Sequence, residues 1–148
     1  MIEQAREISA KFSTPNVIWV SNIKDIKRPE IFIELARKFL GENVDFLMVG
    51  DLHNKKYAYA IKAAEEEITN FKYLGPKSIE ETDRLIAMST LLVHTCVPEG
   101  FGNVFIQAWA NGIPTITLDH DPDGIIEANS LGYHSRNFDQ LEKDIRQV

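Results

Sequence analysis

Five short, predominantly apolar segments of strand length, at 17–20, 44–49, 71–74, 91–94 and 113–118, punctuate this chain, and segments of helical periodicity separate them. Val-Ile-Trp-Val at 17–20 and Leu-Leu-Val at 91–93 are apolar at successive positions, so both faces of such a strand must be covered. Between the runs, Ile31, Phe32, Leu35, Phe39 and Leu40 form one apolar helical face, with Pro29 suited to the first turn and Gly41 to the end. Helices are likewise expected over 54–67, from Ser78 with its capping partner Glu81, over 103–110 and over 138–148. Ile2, Ala5, Ile8 and Phe12 predict an amphipathic helix over the first twelve residues, whereas 121–132 carries no regular pattern. Strand–helix alternation with doubly buried strands predicts an α/β fold: a Rossmann-like, doubly wound parallel sheet in a single domain over 1–148.

Composition narrows the partners. An apolar fraction of 44% in 148 residues suffices for a core, and a net charge of −6 argues against nucleic acid or an anionic membrane surface, which need clustered Lys and Arg. The single cysteine, Cys96, excludes an internal disulfide and fits a reducing compartment. No run approaches the ~20 apolar residues of a spanning helix, and the chain opens on charges rather than a signal-type segment. The expectation is a soluble cytoplasmic domain.

Sheets of this class bind ligands beyond the carboxyl ends of the strands, where the strand order reverses. With the order 3-2-1-4-5, the loops at 21–28 and 95–102 flank that point. The second contains Glu99-Gly100-Phe101-Gly102-Asn103 and runs straight into a helix. Glycines there let backbone N–H groups approach an anion, which the helix dipole favours, while the Glu99 carboxylate can accept from hydroxyls. A lone G-x-G is weak evidence. The dinucleotide fingerprint lacks its third glycine, since position 105 is Phe, and no Walker A pattern occurs; dehydrogenase and P-loop readings are disfavoured.

Residues 99–114, E-G-F-G-N-V-F-I-Q-A-W-A-N-G-I-P, resemble the donor-site signature of glycosyltransferase family 4 (group 1), the retaining GT-B enzymes. Residues 17–29 resemble that family's first strand and basic loop, 71–75 its third strand, and 123–127 its tail. The resemblance covers nearly the whole chain, and it is to the C-terminal, donor-binding half of a GT-B enzyme. It implies transfer of a sugar from a nucleotide diphosphate sugar, with a separate N-terminal domain holding the acceptor. It implies no cofactor and no metal, because cationic side chains and a helix N-terminus stabilise the leaving diphosphate. Docking of the parent enzyme on a membrane stays open.

Carried over by position, Glu99 contacts the transferred sugar and Lys27 neutralises the diphosphate. Gly100, Phe101 and Gly102 offer backbone N–H groups, with Asn103 beside them. Gln107 stands where the family has a ribose-binding Glu, and its amide both accepts and donates. Asn22 stands where the family has an Arg, leaving Lys24 or Arg28 to compensate. Lys77, after the third strand, is a candidate for the base.

Other residues have plainer readings. Phe105 and Trp109 read as core, and Cys96 as a small semi-buried residue. Asp119-His120-Asp121 reads as an acidic turn rather than a D-x-D metal motif. The four histidines, His53, His94, His120 and His134, are scattered singly in sequence. Two other functions compete: a GT-B sugar-nucleotide epimerase or hydrolase, and a non-catalytic flavodoxin-like binding module.

Overall fold

The computed structural model describes residues 12–97 and 102–148; the helix expected before Phe12 lies outside them, as do Glu99, Gly100 and Phe101. In chain order the elements are β1 (Asn16–Val20), α1 (Pro29–Lys38), β2 (Asp45–Val49), α2 (Lys55–Glu67), β3 (Phe71–Gly75), α3 (Ile79–Met88) and β4 (Leu91–His94). There follow α4 (Asn103–Ala110), β5 (Thr115–Thr117), α5 (Ile125–Ala128), β6 (Gly132–His134) and α6 (Phe138–Gln147). One six-stranded sheet has the order β3-β2-β1-β4-β5-β6, and every pairing in it is parallel. This is the expected Rossmann-like topology, with the reversal between β1 and β4.

Alternation along the strands builds two cores. Val17 and Trp19 of β1 point to the face covered by α1, α2 and α6, where Phe32, Ile61 and Leu141 join them. Ile18 points the other way, toward Ile86 of α3 and Ala108 of α4. Phe32 is fully buried and its ring lies against Trp19, Phe46 and Phe71, with centroids 6.2, 5.5 and 6.4 Å away. Rings at those separations gain edge and offset-stacking energy beyond their burial. Phe105 is fully buried and stacks at 5.5 Å on Trp109, which packs against the second core.

The sequence expectations differ from the fold at its carboxyl end. Strand β5 is three residues long instead of six, and the irregular tail contains both α5 and a sixth strand, β6. Gly132 and Tyr133 carry no apolar run that could announce that strand. It pairs because Thr115 and Ile116 of β5 present an open edge, with Thr115↔Gly132 and Ile116↔Tyr133 in register.

Candidate functional site

The carboxyl ends of β1 and β4 are tied together by direct hydrogen bonds between their loops. Ser21 N–H donates to Val49 O (3.0 Å) and Ile23 N–H to Asp51 O (2.9 Å), so the loop at 21–28 first continues along β2. It then tightens into one 3₁₀ turn, Asp25–Lys27, and enters α1 through Arg28. Arg28 sits in the left-handed region (φ 50°, ψ 57°), a conformation costing a non-glycine residue about 1–2 kcal/mol. The surrounding contacts must over-determine it.

Those contacts centre on Thr95, the buried residue that follows β4. Its hydroxyl lies 2.6 Å from Lys27 O and 3.1 Å from Arg28 O, and accepts from Trp19 Nε1 at 2.9 Å. Arg28 Nε donates to Thr95 O at 2.6 Å, and Arg28 Nη2 lies 2.6 Å from Asp119 Oδ2, beyond β5. Val97 N–H donates to Ile26 O at 3.1 Å. The loops after β1 and β4 are therefore joined by hydrogen bonds at the switch point, and an ion pair adds the loop after β5. Thr95 and Trp19 were not singled out as site residues in the sequence, and Asp119 was read only as part of an acidic turn; the position of Thr95, directly after an apolar run, was the one hint of a role.

The opposite side of the 21–28 loop is held from α2. Tyr57 is buried and its hydroxyl donates to Asp25 Oδ1 at 2.5 Å, while Lys56 Nζ lies 3.3 Å from the same oxygen. The hydrogen bond from Tyr57, followed by the Lys56 ammonium, holds the Asp25 carboxyl below the usual carboxylate range. Burial, then the bond to Asp25, pushes the Tyr57 phenol well above its usual value.

The expected binding residues distribute as follows. Lys27 is half-buried at the end of the 3₁₀ turn, and its carbonyl lies against Thr95. Asn22 and Lys77 share a cleft of about 240 Å³ with Ser21, Gly50, Asp51 and Thr82, beyond the ends of β1, β2 and β3. Gly102 is the N-cap of α4, followed by the exposed Asn103, and Gln107 is half-buried one turn further on. Arg28 has its guanidinium on Thr95 and Asp119, and Lys24 is exposed.

Asp119 and Asp121 behave as the acidic turn that their sequence suggested: Asp121 accepts from the Ile126 and Glu127 amides at 2.8 and 3.2 Å, capping α5. Cys96 is fully buried rather than semi-buried. The histidines are not all isolated. His94 and His120 are buried with ring centroids 5.8 Å apart, both packed on Phe105. Among the described residues no group of three or more His, Cys, Asp or Glu is placed to hold a metal ion, and no helix is long and apolar enough to cross a membrane.

The family model for glycosyl transferases group 1 matches residues 1–148. The chain belongs to that family. Solved structures of glycosyltransferases resemble the group 1 domain at low identity. A Staphylococcus aureus TarM mutant in complex with fondaparinux, alpha-GlcNAc-glycerol and UDP is 24% identical, with a TM-score of 0.75 over 93% of this chain and 29% of that one. A glycosyltransferase from Rickettsia africae is 20% identical, with a TM-score of 0.78 over 99% and 40%. Anabaena HepE in complex with UDP is 20% identical, with a TM-score of 0.73 over 99% and 41%. The group 1 chain thus spans well under half the length of these structures. A comparison with curated proteins finds no match.

Proposed function

We propose that the chain is the nucleotide-sugar-binding domain of a retaining glycosyltransferase of family 4. A second, acceptor-binding domain would complete the GT-B active site across the carboxyl ends of the strands. The observation that carries this reading is the bonding of the Lys27 loop to the loop after β4, through Thr95–Lys27 and Val97–Ile26, at the point where strand order reverses. The basic loop and residues 95–97 after β4 therefore lie side by side at the switch point, where sheets of this class bind ligands.

In this reading the donor diphosphate is held by Lys27, the amides of Gly100, Phe101 and Gly102, and the first turn of α4 at Asn103. Glu99 accepts from the hydroxyls of the transferred sugar, Gln107 meets the ribose, and the base lies toward Asn22 and Lys77. When the anomeric C–O bond breaks, negative charge grows on the leaving diphosphate. A Lys27 ammonium and a helix N-terminus stabilise that charge without a metal or other cofactor. A charge-assisted hydrogen bond of this kind contributes about 1.5–3 kcal/mol. The UDP in complexes of TarM and HepE supports a nucleotide ligand for this fold. The isolated domain is expected to bind nucleotide, to transfer no sugar and to work in the cytoplasm.

The test is a titration of Glu99→Ala and the unsubstituted chain with nucleotide sugars and with the bare nucleoside diphosphates. Glu99→Ala should weaken the sugar nucleotide more than the diphosphate. Equal losses would remove Glu99 from the sugar.

A further inference from the structure

Arg28 is placed by sequence to be a phosphate ligand, yet its guanidinium is oriented toward protein. Nε donates to Thr95 O at 2.6 Å and Nη2 meets Asp119 Oδ2 at 2.6 Å, and the side chain is largely buried by these contacts. Its backbone is held in the left-handed region, which a non-glycine residue keeps only when neighbours enforce it. The Thr95 hydroxyl, in turn, lies on the carbonyls of Lys27 and Arg28. One planar fork thus joins the ends of β4 and β5 to the last residue of the Lys27 loop. A lysine has the same charge but lacks the fork.

We propose that Arg28 and Asp119 form a positioning pair that fixes the Lys27 loop at the switch point, so that Arg28 acts on the diphosphate through the loop and not by touching it. This rests on the nucleotide-binding reading above, and it gives Asp119, an acid beside an anion site, a reason to be there. A carboxylate near a bound diphosphate opposes binding through its charge. If Arg28 were itself a phosphate ligand, neutralising Asp119 would release the guanidinium and tighten binding. If the pair positions the loop, neutralising Asp119 loosens it and weakens binding. The two roles predict opposite signs.

The measurement is calorimetric titration of the chain, R28K, D119N, R28A and the R28A/D119N double variant with inorganic pyrophosphate, UDP and GDP, well below the melting temperature of each. Amide hydrogen exchange of residues 21–28 is followed in the same proteins without ligand. The expected result is a loss of affinity of about fivefold or more in both D119N and R28K, with the double variant no weaker than R28A. Exchange at Ile23, Lys27 and Arg28 should quicken about tenfold in each single variant. Tighter or unchanged binding in D119N, or wild-type affinity in R28K, would overturn the proposal. Should the unsubstituted chain bind none of the three ligands, the nucleotide-binding reading falls, and exchange alone decides the pair: unchanged exchange would overturn it, and quickened exchange would sustain the clamp.

Discussion

Gly50 shows how one missing side chain shapes the site. A Cβ added there would lie 1.6 Å from Ser21 O, so the loop carrying Asn22 could not follow β2 as it does. Gly50→Ala should lower stability by at least about 2 kcal/mol in urea melts, because backbone rather than a flexible side chain must move. Gly41, with a positive φ but open space around it, is the contrast: its Ala variant should lose only the left-handed strain, about 1–2 kcal/mol. At Lys27 the consequence is for binding. Lys27→Ala should weaken nucleoside diphosphate binding about ten- to a hundredfold while keeping the contact to Thr95, which the backbone carbonyl makes.

Among the elements, α3 and the 3₁₀ turn test local chemistry. Ser78 Oγ accepts from the Glu81 amide at 3.1 Å, so Ser78→Ala should cost about 1 kcal/mol. The turn is anchored by Tyr57 and Asp25. A carboxyl held below its ordinary value stabilises the fold above the unfolded pKa, and the contribution is lost as pH falls through the folded value. A phenol pushed above its ordinary value stabilises the fold below about pH 10, and that contribution is lost as pH rises further. Tyr57→Phe should therefore lower the melting temperature most at neutral pH, with the difference from the unsubstituted chain shrinking at both extremes. Elements with strong local signals were readable from sequence alone: β4 and α4 begin and end where apolar runs and Gly102 place them, and Asn54 caps α2. Strand β6 was not, because its pairing comes from the open edge of β5 and not from its own residues. The knot of Trp19, Thr95, Arg28 and Asp119 was hidden for the same reason: residues 67 or more positions apart meet only after the sheet has formed.

For the whole molecule, the reversal of strand order decides where chemistry can occur. Both faces of the central strands are buried in the two cores, and the carboxyl ends of β1 and β4 diverge into loops that Thr95 then knits together. A ligand seated there binds only the folded chain, so it should raise the melting temperature by mass action, about 2.7 kcal/mol at a hundredfold excess over Kd. Substitutions in the core should act differently. Phe32→Ala, which removes a ring touching three others, should cost about 3–5 kcal/mol and lower the melting point with and without nucleotide alike. The most direct test is calorimetric titration of the chain, and of Lys27→Ala, with UDP, GDP and ADP. Saturable one-to-one binding of at least one nucleotide, weakened at least tenfold in Lys27→Ala, is the predicted result; no binding of any of the three at millimolar concentration, or equal affinity in the variant, would contradict it.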